Sequence, residues 1–168
     1  MAERSEQSAQ AQRALDSTLV TATMPTQVEM AIVGAGLAGL SVAAAFVSIA
    51  DEPVTDLAIL EKSEIVGGTW RHHGNAFSRV NSSEPAYRLP LKFARKKLNF
   101  NHSPHSEILT DIRLTIEQHS LASRIHTNVD VRRVGVAAGK RVLVGSQQAK
   151  GFSLVWAMLV GLIVYEEA

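Results

Sequence analysis

A glycine-rich turn between a short apolar run and an alanine-rich run is the feature that most constrains this chain. Residues 28–33 (VEMAIV) predict a buried parallel strand, and residues 37–49 predict a helix that packs on a sheet. The turn between them, GAGLAG, runs from Gly34 to Gly39. In this arrangement the first glycine permits a tight turn, the second lets a pyrophosphate approach the backbone, and the third allows close helix–strand packing. The pyrophosphate would lie on the free N–H groups at the start of the helix.

A second apolar run, Leu57–Leu60 (LAIL), predicts another buried strand and is followed directly by Glu61. Glu61 comes 22 residues after Gly39. This is close to the spacing of about 20 expected for the carboxylate that accepts hydrogen bonds from ribose hydroxyls. Strand, turn, helix, strand and acid therefore follow the order of a dinucleotide-binding fingerprint. A glycine turn without a ligand stays the alternative, because glycines also mark ordinary turns.

The remaining pattern predicts an α/β fold with a small parallel sheet. Residues 1–27 are polar and predict a disordered leader, with at most a transient helix over 13–24. The further elements predicted are an amphipathic helix over residues 104–121, a strand over 124–131, and a β hairpin or meander over 131–145.

The C-terminal residues 152–165 (FSLVWAMLVGLIVY) contain a single polar residue, Ser153. A membrane-spanning helix needs about 20 apolar residues, and runs of 10–14 belong more often to buried segments. A core segment is therefore favoured over a membrane anchor, and the structure of residues 146–168 is left open. Nothing in the sequence supports export, so the expected location is cytoplasmic, with membrane association as the alternative.

Composition argues against several kinds of site. The chain has no cysteine, which excludes disulfides, thiol nucleophiles and Cys-ligated metals. Its net charge of +1 argues against general nucleic-acid binding. The histidines do not predict a metal site: His72 and His73 are adjacent, and Pro104 separates His102 from His105.

The segment after Glu61 distinguishes FAD-binding from NAD-binding proteins. Six residues beyond Glu61, the sequence GGTW at Gly67–Trp70 resembles the flavin-containing monooxygenases and the related Baeyer–Villiger enzymes. In that family the paired glycines pass close to the FAD and the Trp packs beside it. Residues 79–84 (RVNSSE) resemble the family's Asn-Ser segment, which would place Asn81 by the flavin ring. The resemblance covers residues 28–134.

The resemblance implies an FAD-dependent, NADPH-using monooxygenase. In such enzymes a flavin hydroperoxide oxygenates a nitrogen, sulfur or carbonyl centre of a small molecule. Asn81 is then the nearest residue to a catalytic side chain, acting through a hydrogen bond to the flavin intermediate, and Arg71 follows GGTW near the expected flavin. The residues expected to bind FAD are Gly34, Gly36, Leu37, Ala38, Gly39, Glu61, Lys62, Gly68, Thr69, Trp70, Arg71 and Asn81.

The chain departs from that family in its second half. The family has a second GxGxxG motif that binds NADPH, preceded by Phe-x-Gly-x-x-x-His, and neither occurs in this sequence. Residues 28–145 are therefore interpreted as the N-terminal portion of an FAD-binding domain, incomplete relative to the family and weakly active or inactive alone. Two alternatives stay open: a non-catalytic dinucleotide-binding module that acts through a partner, and a membrane-associated fragment.

Overall fold

Helices pack on one mixed β-sheet in the computed structural model, which describes residues 1–20, 22–48, 51–82, 89, 102–149 and 152–165. The helices of this described part are α1 (Ala2–Asp16), α2 (Leu37–Ser48), α3 (Gly68–His72) and α4 (His105–Gln118), with a 3₁₀ turn at Ala122–Arg124. Its strands are β1 (Gln27–Val33), β2 (Leu57–Leu60), β3 (Ile125–His126), β4 (Val129–Ala137), β5 (Lys140–Ala149) and β6 (Phe152–Tyr165).

The described strands form a single sheet in the order β3-β2-β1-β6-β5-β4. Strands β3, β2, β1 and β6 are parallel neighbours, whereas β6, β5 and β4 form an antiparallel meander. Strands β1 and β2 carry nearly continuous apolar residues and are buried along most of their length, as expected when both faces of a parallel sheet are covered. The predicted α/β fold, with a small parallel sheet and a hairpin, is confirmed.

The strand predicted over residues 124–131 is divided in two. Strand β3 ends at His126, and β4 begins at Val129 after a left-handed residue, Asn128, with φ of 59°. Asparagine tolerates this conformation better than most residues. The Asn128 N–H donates to the Ser63 carbonyl at 2.8 Å, which fixes the turn against the loop after β2. The predicted hairpin does form, between β4 and β5.

The N-terminal residues 2–16 form helix α1, so the prediction of a disordered leader is wrong there. Leu15 is fully buried, Ser8 is 6% exposed, and Ala11 packs against the same core. The spacing of these three residues places them on one face of the helix, which packs against α4. The buried face of α1 contains only one large apolar side chain, Leu15. The composition of residues 2–16 therefore does not reveal that this helix packs against the core.

The apolar residues 152–165 form strand β6, which lies between β1 and β5 in the sheet. Ile32 of β1 is in register with Val164, and Leu143 of β5 with Met158. Leu143 and Met158 are both buried in a second core on the sheet. This placement agrees with the expected core segment. No helix among the described residues is long and apolar enough to cross a membrane.

Candidate functional site

A cleft of about 350 Å³ opens where β1 and β2 end. In open α/β sheets, ligands bind in the crevice beyond the carboxyl ends of the strands. The cleft is lined by Val33, Gly34, Gly36, Leu60, Glu61, Lys62, Gly68, Thr69, His72, His73, Val129, Asp130 and Val131. These residues come from the glycine turn, the end of β2, helix α3 and the start of β4.

The glycine turn is held against both the sheet and the GGTW segment. Gly34 has φ of 103°, a left-handed conformation that glycine adopts without steric cost, and its N–H donates to the Leu60 carbonyl at 2.9 Å. One residue later, the Ala35 carbonyl accepts a hydrogen bond from the Gly67 N–H at 2.9 Å. The two glycine-rich segments, separated by a helix and a strand in sequence, are therefore adjacent at the cleft.

Gly36 and Gly68 also lie close together across the two segments. A Cβ atom placed on Gly68 would lie 2.9 Å from the Gly36 Cα, and Gly68 also has a positive φ of 52°. Any side chain at this position would collide with backbone rather than with a movable side chain. Two bare backbone surfaces thus meet at the start of α2, and both contribute to the cleft lining.

Glu61 is 6% exposed and its carboxylate is bound by backbone on both oxygens. Oε2 accepts the Ala35 N–H and Oε1 accepts the Ser63 N–H, each at 2.9 Å, and Oε1 also accepts the Ser63 hydroxyl at 2.8 Å. A carboxylate has about four lone-pair sites, so these three bonds leave room for one more donor. The carboxylate can therefore order the glycine turn and still accept a hydroxyl group of a ligand.

The remaining polar lining of the cleft is mixed in charge. Lys62, His72 and His73 are exposed and can donate hydrogen bonds to an anionic ligand. Asp130, which also lines the cleft, forms an ion pair with Arg132, with 3.1 Å between Oδ2 and Nε. The arrangement suits a ligand that has both phosphate and hydroxyl groups.

Sequence and structure comparisons agree on the kind of fold that carries this cleft. A family model described as FAD-NAD(P)-binding matches residues 31–96. The match covers less than half of the chain. No curated protein sequence matches the chain at a significant level.

Solved structures with a similar fold include several monooxygenases. A polycyclic ketone monooxygenase from the thermophilic fungus Thermothelomyces thermophila has 18% identity and a TM-score of 0.66, over 87% of this chain and 24% of that one. A flavin-containing monooxygenase from Stenotrophomonas maltophilia has 18% identity and a TM-score of 0.61, over 84% and 38%. A bacillithiol disulfide reductase from Bacillus cereus has 15% identity and a TM-score of 0.64, over 83% and 39%.

The resemblance to flavin-containing and Baeyer–Villiger monooxygenases is thus confirmed at the level of the fold. At these identities the likeness shows the fold alone, and a disulfide reductase shares it. The chain spans between 24% and 39% of the length of the three structures.

Half of the residues expected to bind FAD line the cleft. They are Gly34, Gly36, Glu61, Lys62, Gly68 and Thr69. Leu37, Ala38 and Gly39 lie in the first turn of α2, behind Gly36. The lining also contains His72 and His73, which the sequence analysis left unassigned. Their position one helical turn after Gly68 and Thr69 was the available signal.

Trp70 and Arg71 are directed away from the cleft lining. Trp70 is partly buried and packs against the core, and its carbonyl accepts a hydrogen bond from His105 Nε2 at 2.8 Å. Arg71 forms an ion pair with Asp16 of α1, with 2.7 Å between Nη2 and Oδ2. Trp70 therefore contacts α4 and Arg71 contacts α1, and neither residue is among those that line the cleft.

Asn81 is exposed and is not among the cleft residues in the described part of the chain. It follows Val80, whose N–H donates to the Ser103 carbonyl at 3.1 Å. The segment matched by resemblance continues through residues 83–84, which lie outside the described residues.

Proposed function

We propose that this chain binds FAD in the cleft and represents the cofactor-binding part of an NADPH-dependent flavoprotein monooxygenase. The observation that carries the proposal is the contact between Gly36 and Gly68, because it brings two bare backbone segments together where β1 passes into α2. A pyrophosphate requires such an approach to the backbone. The FAD-NAD(P)-binding family match over residues 31–96 supports the same ligand class.

The residues around this contact fit the separate parts of a dinucleotide. The first turn of α2 has no acidic residue, so the positive end of that helix is not neutralised where a pyrophosphate would lie. Glu61 would accept a ribose hydroxyl through its remaining lone pair. Lys62, His72 at the end of α3 and the adjacent His73 would donate to phosphate oxygens from the cleft rim.

FAD, when bound, supplies the redox and oxygen chemistry, and the protein contributes binding and orientation. The residues of this chain would fix the cofactor by its pyrophosphate and ribose and shield one face of it from water. Asn81 is proposed to donate a hydrogen bond to the flavin end. Oxygenation of a nitrogen, sulfur or carbonyl centre, and reduction by NADPH, belong to this proposal through the family resemblance.

A second candidate is a dinucleotide-binding module without oxygenase activity. It is favoured by the exposed position of Asn81 outside the cleft lining. It is also favoured by the fold itself, which a bacillithiol disulfide reductase shares with the monooxygenases.

Titration of the purified chain with FAD tests the proposal. Visible absorbance of the protein after gel filtration would show retained flavin, and quenching of flavin fluorescence would give Kd. Circular dichroism of the same sample would establish that it is folded. A folded chain that stays colourless in excess FAD would contradict the proposal. Bound FAD without saturable NADPH oxidation would favour the non-catalytic module.

A further inference from the structure

Helix α1 contacts the segment that carries the cleft glycines, although α1 itself does not line the cleft. Its Leu15 is fully buried, and Leu15 Cδ2 would lie 3.7 Å from a Cβ placed on Gly67. One residue further, Asp16 forms the 2.7 Å ion pair with Arg71 of α3. The end of α1 therefore lies against Gly67 of the GGTW segment and against Arg71, the residue that follows it.

A buried histidine makes a third connection from α1 to α3. His105, at the start of α4, is completely buried. Its Nδ1 lies 2.6 Å from Ser8 Oγ of α1, and its Nε2 lies 2.8 Å from the Trp70 carbonyl oxygen. With the Ser8 hydroxyl donating to Nδ1 and Nε2–H donating to Trp70, one neutral tautomer satisfies both contacts.

The backbone near His105 is shaped to allow this connection. A Cβ placed on Gly74 would overlap the Trp70 carbonyl oxygen and would lie 2.5 Å from His105 Cδ2. Gly74 therefore has to be a glycine for the imidazole to reach the end of α3. The rings of His105 and Trp70 are 6.4 Å apart between centroids.

The Ser8–His105 contact has the geometry of a nucleophile and its base, but its position rules that role out. Ser8 is 6% exposed, His105 is fully buried, and neither lines the described cleft. A nucleophile needs access to its substrate. The contact instead connects two helices to a backbone carbonyl at the edge of the cofactor cleft.

We propose that α1 is a brace that holds α3 in its cleft-forming position, with His105 as the positioning residue that links the two. The cleft depends on this position because Gly68, the first residue of α3, packs against Gly36 with no room to shift inward. Its neighbour Gly67 keeps the hydrogen bond to Ala35 only in the same arrangement. The predicted effect of the brace on FAD affinity rests on the proposed function, whereas its predicted effect on the position of α3 does not.

The substitution Ser8→Ala tests the brace by removing the hydroxyl contact with His105. It is expected to speed amide hydrogen exchange in residues 64–75 of the FAD-free chain, where the Gly67, His73 and Gly74 N–H groups are bonded. It is also expected to weaken FAD affinity by about fivefold or more, the lower range of coupling between distinct sites. Ser8→Thr, which keeps the hydroxyl, should restore both values toward wild type.

The matched control on the same helix is Glu6→Gln. Glu6 pairs with Arg13 on the solvent side of α1, with both side chains mostly exposed. This variant should leave hydrogen exchange in residues 64–75 and FAD affinity unchanged. Asp16→Asn serves as a second test variant, since its ion pair with Arg71 is partly exposed and its loss should not prevent folding.

The outcomes separate the brace from the proposed function. Faster exchange in Ser8→Ala and Asp16→Asn, in a chain that binds no FAD, would support the brace and contradict the function. FAD binding with unchanged exchange and affinity in both variants would overturn the brace and leave the function standing. If Ser8→Ala does not fold, unchanged exchange in folded Asp16→Asn would still overturn it.

Discussion

Glu61 Oε2 accepts a hydrogen bond from the Ala35 N–H at 2.9 Å, joining the end of β2 to the glycine turn 26 positions earlier in the chain. The same carboxylate accepts the Ser63 N–H through its other oxygen. One buried side chain therefore fixes the turn on which a pyrophosphate would lie and also faces the cleft. Stability and cofactor affinity should consequently be linked at this residue.

The substitution Glu61→Gln should lower both the stability and the FAD affinity. The amide NH2 group cannot accept an N–H or O–H, so the bonds to one of the two oxygens are lost and stability falls. The charged acceptor for a ribose hydroxyl is lost as well, and a hydrogen bond to a charged group contributes about 1.5–3 kcal/mol, which predicts an affinity loss of about tenfold or more. Thermal unfolding and FAD titration would measure the two effects. The control is Glu64→Gln, an exposed neighbour, and equal effects from both substitutions would show that the carboxylate is misassigned.

The substitution Gly68→Ala should abolish tight FAD binding. Its methyl group would lie 2.9 Å from the Gly36 Cα, and the positive φ adds backbone strain. Gly135→Ala is the control, because a Cβ there meets nothing within 4 Å. Wild-type FAD affinity in Gly68→Ala would remove the main support for the proposed site.

The substitution Met158→Ala should destabilise the fold by about 2–5 kcal/mol, the usual cost of truncating a buried methionine. Met158 is 1% exposed and lies in β6 beside Leu143. Val136→Ala in β4 is the control, since Val136 is 75% exposed and surface changes cost within about 0.5 kcal/mol. Chemical denaturation would give both values. Equal, small effects would mean that residues 152–165 do not belong to the core.

Stability should decrease in mild acid because of His126. Burial lowers the pKa of His126 from its usual 6.5, opposed by a backbone hydrogen bond with Ala22. The unfolded chain then binds a proton at a higher pH than the folded chain. The stability that comes from keeping His126 neutral is therefore complete above about pH 6.5. It is lost as pH falls through the lower pKa of the folded chain.

Denaturation curves between pH 7.5 and 5 would measure the effect of His126, in a range chosen around the usual histidine pKa of about 6.5. The variant His126→Gln should flatten the dependence, and His73→Gln, with an exposed side chain, should keep it. An unchanged slope in His126→Gln would refute the assignment.

The β1-α2-β2 unit could be predicted because its signals are local. The glycine turn, the apolar runs and Glu61 lie within about 35 consecutive residues, and each defines a backbone conformation or a spacing. Six of the twelve predicted cofactor residues line the cleft for the same reason.

The parts that sequence analysis missed depend on distant contacts. Ser8 appears in the sequence as one more polar residue of a polar helix. It is buried because it contacts His105, which lies 97 positions later in the chain. Arg71 follows the GGTW motif, yet its direction is set by Asp16 in that same helix. The apolar run 152–165 indicated burial, but its pairing with β1 depends on the complete sheet.

That pairing has a consequence for how the chain reaches its native state. Val33 of β1 is in register with Tyr165, 132 positions later, so one side of β1 has no strand partner until β6 has been synthesised. Contacts of such large sequence separation slow folding, because a long loop must close before they form. During translation, the unpaired edge of β1 offers a surface for pairing with other chains. Until β6 is complete, nascent chains would therefore be open to intermolecular pairing at this strand.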